Sequence, residues 1–308
     1  MATSQGRRRG LLGWLGRIGA ALTFGYLGYL TVEGSRRIVS PGRRPFIPEE
    51  GGPATPADLG LAYEDVRFTT DDGVTLSGWL VPAARETRAA VVLMHGFSWH
   101  RLPWLAGFVP WLQRRYNVLQ FDFRGHGGSD SALITLGTLE QRDVAAAVRF
   151  LEGRGLGPIA LMGISMGGSV AIMAAPDLPV AAVIADAAYA ELHNPIGNRM
   201  RDEGLPFGQL GARVVLAAAG VRARVRLRSP MHRVAQIAPR ALLLISPGED
   251  RLVSPHQSLR MFAAAGEPKE LFVVPGAAHA EAHLTAPEAY ERRVLDFLAR
   301  HLDGEPPV

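Results

Sequence analysis

The chain of 308 residues contains no cysteine and only one lysine, Lys269. Without cysteine it can form no disulfide bond, no cysteine-ligated zinc site and no cysteine nucleophile. The formal net charge is only +4, and nearly all of the positive charge comes from arginine. The sequence has neither a basic patch interleaved with aromatic residues nor a nucleic-acid-binding motif, so we expect no nucleic acid partner.

Signatures of cofactors and metals are also missing. The chain has no glycine-rich phosphate-binding loop and no dinucleotide fingerprint. His279 and His283 are four residues apart, but Glu281 between them does not occupy the position that a zinc-protease helix requires. We therefore predict that the protein uses no cofactor and no metal.

One serine stands in a context typical of a nucleophile. Residues 163–167 have the sequence Gly-Ile-Ser-Met-Gly, between an apolar run at 158–162 and a helical pattern of small residues at 168–174. A strand, a tight turn and a helix in this order need glycines on both sides of the serine, because side chains would not fit there. The strained turn would hold the hydroxyl group of Ser165 exposed at the end of a strand, within reach of a base and a substrate.

An acid and a histidine follow the serine along the chain. Asp250 comes after the apolar run at 241–245, and His279 comes after the run at 271–274. A serine hydroxyl is a weak nucleophile unless an imidazole takes its proton, and the imidazole needs a carboxylate to orient it. The order Ser, Asp, His is that of the α/β-hydrolase triad and differs from the orders in chymotrypsin and subtilisin.

The segment from about residue 61 to 302 resembles the α/β-hydrolase superfamily. The matching motifs are Asp-Asp-Gly at 71–73, His-Gly-Phe at 95–97, and Asp-Phe-Arg-Gly-His-Gly-Gly-Ser at 122–129. The chain looks most like serine hydrolases of the prolyl-oligopeptidase-related and membrane-anchored α/β-hydrolase domain types, which hydrolyse esters, thioesters or, less often, peptides. One difference is Ser246-Pro247, where the family usually has His-Gly ahead of the acid.

This resemblance implies a role for each candidate catalytic residue. Ser165 would be the nucleophile and His279 the base. Asp250 would be the orienting acid, because its spacing to Val253 matches the family. The backbone N–H groups of Met166, after the nucleophile, and of Phe97, after the His-Gly pair, would form the oxyanion hole.

Other acids and histidines lie close to these residues in the chain. Glu249 and Asp186 are alternatives to Asp250, and His283 is an alternative to His279. The remaining two histidines of the matching motifs, at positions 95 and 126, are expected to be structural.

Short apolar runs alternate with helical patterns from residue 61 to 303. This pattern predicts an α/β-hydrolase fold, with a mostly parallel central sheet and helices on both faces. The segment of about 187–239 breaks the alternation between two core strands, where this superfamily inserts a small lid. Arginines and apolar residues alternate within it from 222 to 228, which predicts either a solvated face or a surface for anionic lipid headgroups or acidic substrates.

The N-terminal segment has a different composition. A basic tail at 7–9 precedes an apolar run at 10–32 that only Arg17 interrupts, and as a helix this run would be about 34 Å long. We expect residues 1–39 to form a single-pass transmembrane anchor of undetermined orientation, so that the protein lies at a membrane. A cleaved signal peptide and a helix in the membrane interface are alternatives. Residues 40–60, rich in proline and glycine, are expected to be a linker.

These features together predict a serine hydrolase that cleaves carboxylic ester or thioester bonds through an acyl-enzyme. The predicted anchor favours a lipophilic acyl substrate, either a small molecule or a lipid ester. A serine peptidase or acyl-peptide hydrolase and a non-catalytic α/β-hydrolase-like binding protein are the alternatives. The sequence leaves open the acyl chain, the alcohol and the oligomeric state.

Overall fold

The computed structural model describes residues 2–48 and 50–304, with side chains in the first helix from residue 12 onward. At its centre is a sheet of eight strands, which are β1 (Glu64–Thr69), β2 (Thr75–Val81), β3 (Ala90–Met94), β4 (Asn117–Phe121), β5 (Ile159–Ile164), β6 (Ala182–Asp186), β7 (Ala241–Pro247) and β8 (Lys269–Val274). Their order across the sheet is β1-β2-β4-β3-β5-β6-β7-β8. Strand β2 runs antiparallel to both of its neighbours, and all other pairings are parallel.

The burial of the strands follows from their place in the sheet. Every residue of β3, β4, β5, β6 and β7 is buried, because helices cover both faces of the parallel part. Strand β1 lies at the edge and buries only Val66 and Phe68, at alternate positions. A strand with both faces covered therefore has a near-continuous apolar run, and a strand with one face covered has apolar residues at alternate positions.

Helices pack on both faces of this sheet. The helices are α1 (Ala2–Tyr29), α2 (Ser35–Val39), α3 (Leu105–Leu112), α4 (Glu140–Gly153), α5 (Met166–Ala174), α6 (His193–Asp202), α7 (Gly208–Ala223), α8 (Pro255–Ala264), α9 (Ala282–Thr285) and α10 (Pro287–Leu298). One core contains Val148 of α4 and Val170 of α5, and the other contains Leu105 of α3 and Phe297 of α10. The architecture confirms the predicted α/β-hydrolase fold.

An insertion separates β6 from β7. It contains α6, α7 and two short 3-10 helices, Pro230–His232 and Val234–Gln236. It occupies the segment of about 187–239, for which the role of a lid stays a prediction. We refer to residues 187–240 as the lid.

The N-terminal helix packs on the lid through its C-terminal end. A π-helical turn, Leu30–Gly34, joins α1 to α2. Leu30 is buried against Met200, Ala212 and Val215 of the lid. The exposed guanidinium group of Arg222 donates hydrogen bonds to the backbone oxygen of Val32 in this turn and to the hydroxyl oxygen of Ser35 in α2.

No helix among residues 2–48 and 50–304 has both the length and the apolar composition needed to cross a membrane. The spanning helix predicted over residues 10–32 is therefore not supported. The physical reason lies in the composition of α1, where Arg17 and glycines at about every third position lower the hydropathy of an otherwise apolar run.

The predicted linker packs in part against the catalytic domain. Arg43 donates hydrogen bonds to the backbone oxygens of Gly127 and Ser129. The ring of Phe46 lies 5.9 Å from that of Trp79. These contacts hold the first part of residues 40–60 on the domain surface.

Candidate active site

Ser165 occupies the tight turn between β5 and α5. Its backbone angles, φ 55° and ψ −114°, are a strained combination for a residue with a side chain. A Cβ atom at position 163 would lie 2.1 Å from the carbonyl carbon of Gly167, and one at position 167 would lie 2.4 Å from the carbonyl oxygen of Met94. Glycine is therefore required on both sides of Ser165, as the sequence predicts.

The structure brings together the three residues of the predicted triad. His279 follows β8, and its Nε2 atom lies 3.0 Å from Oγ of Ser165. Its Nδ1 atom lies 2.6 Å from Oδ2 of Asp250, which follows β7. An Nδ1–H group that donates to this carboxylate leaves Nε2 free to accept the hydroxyl proton of Ser165.

Backbone N–H groups hold the carboxylate of Asp250 in place. Its Oδ1 atom accepts hydrogen bonds from Leu252, at 2.9 Å, and from Val253, at 2.7 Å. Both carboxylate oxygens therefore have hydrogen-bond partners. Because the side chain is buried, water does not compete for these bonds. The spacing from Asp250 to Val253 thus has a physical basis, because Val253 supplies one of these N–H groups.

The three alternative residues lie outside this series of hydrogen bonds. Glu249 is exposed. Asp186 is buried and bonds to Tyr290. His283 lies 3.1 Å from a carboxylate oxygen of Glu291, and its ring packs against aromatic residues of α3.

The two predicted oxyanion-hole residues lie beside Ser165. Met166 is the first residue of α5, so its N–H group has no acceptor within the helix. Phe97 belongs to the turn after β3, and a Cβ atom at the neighbouring Gly96 would lie 3.6 Å from Cβ of Ser165. The turn after β3 therefore lies against Ser165, and the N–H group of Phe97 stays the predicted second donor of the oxyanion hole.

Two buried histidines brace that turn. Nε2 of His95 accepts a hydrogen bond from the N–H group of Phe123 at 3.0 Å, so Nδ1 carries the proton and donates it to the oxygen of Gly96 at 2.8 Å. His126 accepts a hydrogen bond at Nε2 from the N–H group of Ser98 at 3.2 Å, and its Nδ1 atom donates to the oxygen of Arg124 at 2.8 Å. Burial lowers the pKa of both rings, which keeps them neutral and able to accept. These bonds are consistent with the structural role that the sequence predicts for these two histidines.

Two buried ionisable groups near the site have surroundings that the sequence does not indicate. Burial raises the pKa of Asp186 to about 7, against the opposing effects of the Tyr290 hydrogen bond and of His279. Asp122 accepts hydrogen bonds from the N–H groups of Arg101 and Gly128, and it pairs with the guanidinium group of Arg101. Asp122 is the first residue of the motif at 122–129, so the sequence singles it out. The motif does not identify Arg101 as its partner.

Comparison with known proteins gives a consistent result. The family model described as "Alpha/beta hydrolase family" matches residues 91–293. The chain is 27% identical, over 92% of its own length and 95% of the relative's, to the alpha/beta hydrolase domain-containing protein WAV2 of Arabidopsis thaliana. It is 30% identical, over 79% of its length and 98% of the relative's, to the polyketide transferase GrgF of a Penicillium species.

Solved structures show the same similarity. The esterase Pf2001 of Pyrococcus furiosus matches with a TM-score of 0.70 and 28% identity, over 80% of this chain and 94% of the esterase. The crystal structure of GrgF matches with a TM-score of 0.65 and 27% identity, over 79% of this chain and all of GrgF.

Proposed function

Because the chain belongs to the alpha/beta hydrolase family, we propose that it is a serine hydrolase that cleaves carboxylic esters or thioesters through an acyl-enzyme. The observation that most supports this proposal is the continuous series of hydrogen bonds from Ser165 through His279 to Asp250. The similarity to an esterase of 28% identity agrees with it.

In the proposed reaction, Oγ of Ser165 attacks the carbonyl carbon of the substrate while Nε2 of His279 accepts the hydroxyl proton. The N–H groups of Phe97 and Met166 donate hydrogen bonds to the oxyanion that forms. The carbon–oxygen or carbon–sulfur bond to the leaving group then breaks, and His279 gives its proton to the departing alcohol or thiol. A water molecule then attacks the acyl-enzyme while His279 accepts its proton, and a carboxylic acid is released as Ser165 recovers its hydroxyl proton.

Replacement of the nucleophile tests this proposal. Ser165→Ala should abolish hydrolysis of a short p-nitrophenyl ester and labelling by a fluorophosphonate probe, because no oxygen nucleophile remains. Ser254→Ala, which changes an exposed serine at the start of α8, is the matched control and should retain both activities. Undiminished turnover in Ser165→Ala would contradict the mechanism, and a wild-type protein inert to every serine-directed probe would favour a non-catalytic binding protein.

Comparison of acyl-peptides with acyl-esters tests the peptidase alternative.

A second function is favoured by one of the comparisons. GrgF, which is 30% identical, is named a polyketide transferase. An acyl-enzyme can transfer its acyl group to an alcohol, amine or thiol as well as to water, with the same residues. Product analysis with increasing concentrations of an added alcohol distinguishes the two functions, since a transferase would form the new ester at the expense of the free acid.

A further inference from the structure

The lid has an unusual distribution of charge. Residues 204–248 contain seven arginines, at positions 213, 222, 224, 226, 228, 233 and 240, and no aspartate or glutamate. Two of these arginines bond to the segment between α5 and β6, because Arg233 pairs with Asp177 and Arg240 donates to the oxygen of Leu178. The positive charge of the other five arginines of residues 204–248 has no acidic residue within that segment to balance it.

Three of these arginines are exposed and unpaired within the described part of the chain. The side chains of Arg213, Arg224 and Arg226 are exposed, and within residues 2–48 and 50–304 they form neither a hydrogen bond nor an ion pair. They line a surface cavity of about 590 Å³ between α7 and the chain that follows it. The other walls of this cavity include Leu216 and Leu227. The lining of the cavity therefore combines apolar side chains with three arginines, and none of the three triad residues lines it.

Exposed apolar side chains surround the same region. Phe207 is 58% exposed, Leu210 is 59% exposed and Val221 is 79% exposed. The exposed side of α1 continues this surface, because the hydroxyl group of Tyr26 bonds to the oxygen of Pro206 and its ring lies 6.4 Å from that of Phe207. Several large apolar residues of α1 and of the π-helical turn after it are also exposed, namely Leu12, Trp14, Leu15, Leu22, Phe24, Tyr29 and Val32.

Apolar side chains in water are unfavourable, and a contiguous patch of them marks an interaction surface. The interface of a membrane satisfies both parts of this surface, because acyl chains accept the apolar residues while phosphate groups bind guanidinium groups. Arginine suits this arrangement, since its aliphatic stem can lie on apolar surface while its charged group stays at the headgroups.

We propose that the protein docks on an anionic lipid surface. The docking face consists of α1, α7 and residues 224–228. The protein would lie on the surface and not span it, with the lid between the lipid and the sheet. If the proposed hydrolase activity is also correct, the natural substrates would include esters dissolved in or drawn from that surface; this extension rests on the proposed function, whereas the docking does not.

The charge component can be tested with vesicles. The full-length protein should float with vesicles of phosphatidylcholine mixed with phosphatidylserine, bind vesicles of phosphatidylcholine alone more weakly, and lose much of the difference at high salt. The combined variant Arg213→Gln/Arg224→Gln/Arg226→Gln should bind the anionic vesicles more weakly, by about fivefold for each arginine and on the order of a hundredfold in total. Arg222 is left unchanged because it holds the N-terminal helix.

A matched control separates this effect from a change in net charge. Arg114→Gln/Arg149→Gln/Arg292→Gln removes three exposed arginines elsewhere on the domain and should leave vesicle binding nearly unchanged. Equal binding to both kinds of vesicle, or an equal loss in both combined variants, would overturn the proposal. Competition by a soluble acidic polypeptide that removes all binding, without any preference for lipid, would also overturn it in favour of an acidic protein partner.

The apolar component has its own test. Phe207→Ser combined with Leu210→Ser should weaken binding to both kinds of vesicle, and the loss should persist at high salt because it does not depend on charge. Hydrolysis of a soluble ester should be unaffected in all of these variants. A protein that binds vesicles but cleaves no ester would refute the proposed function and leave the docking surface intact; the opposite result would refute the docking surface alone.

Discussion

Tyr290 of α10 donates a hydrogen bond from its hydroxyl group to Oδ2 of Asp186 at 3.0 Å. Both side chains are buried, and Oδ1 of Asp186 has no partner within the described part of the chain. The backbone oxygen of Asp186 accepts the N–H group of Ser165 at 2.7 Å, so this pair adjoins the candidate nucleophile. A carboxyl group in such surroundings is most stable in its neutral form.

We expect Asp186→Asn to gain stability relative to the wild type as the pH rises. The neutral carboxyl group stabilises the fold below its unfolded pKa of about 4, and this stabilisation is lost as the pH rises through the folded pKa of about 7. Asparagine is neutral throughout and can still accept the bond from Tyr290. Urea unfolding should show a relative gain for the variant on the order of 4 kcal/mol at most between about pH 4 and pH 8. A difference that does not change with pH would show that Asp186 is ionised in the folded protein.

Removal of the charge from Asp250 should impair catalysis and leave the fold largely intact. Asp250→Asn should lower kcat on a soluble ester by a factor on the order of 10²–10⁴, because the amide favours the wrong tautomer of His279. Glu249→Gln is the adjacent control and should have little effect, since that side chain is exposed. Steady-state kinetics on both variants check the assignment. A damaging Glu249→Gln together with a harmless Asp250→Asn would transfer the role of the acid to Glu249.

The turn at Ser165 should tolerate no side chain at position 167. A methyl group in Gly167→Ala would lie 2.4 Å from the oxygen of Met94, so we expect loss of activity and a lower Tm. Gly153→Ala, at the end of α4, places its methyl group where no heavy atom lies within 4 Å. That control should be neutral or stabilise the protein by up to about 1 kcal/mol. Retained activity in Gly167→Ala would mean that the backbone near Met94 can move far enough to accommodate the methyl group.

The buried pair of Arg101 and Asp122 should matter far more for stability than an exposed pair. Asp122→Asn leaves the guanidinium group of Arg101 without its countercharge in the interior, and we expect a loss on the order of 3–5 kcal/mol. Asp177→Asn breaks the exposed pair with Arg233 and should cost no more than about 1 kcal/mol. Chemical denaturation of the two variants measures the difference. Similar losses for both would indicate that water reaches the Arg101 side chain in solution.

Much of the architecture could be predicted because it depends on local patterns. Apolar runs indicate strands that are covered on both faces, and five such runs correspond to β3 to β7. The sixth run corresponds to β8, an edge strand in which only Val274 is buried. The glycines at 163 and 167 indicate a turn that forbids side chains, and the structure contains that turn. The N-terminal run was harder to interpret, since its length indicated a spanning helix while its glycines and Arg17 reduce its hydropathy.

The sequence by itself determined the fold, the turn at Ser165 and the order of the three candidate catalytic residues, because these depend on side-chain size and spacing along the chain. Only the tertiary structure decided which acid contacts His279, since Asp250, Glu249 and Asp186 differ in burial and direction and not in chemistry. It alone also brought α1 onto the lid and joined residues 207–228 with the N-terminal helix into one surface. Those contacts join residues about 180 positions apart, and no local pattern encodes a distance between segments that meet only when the chain folds.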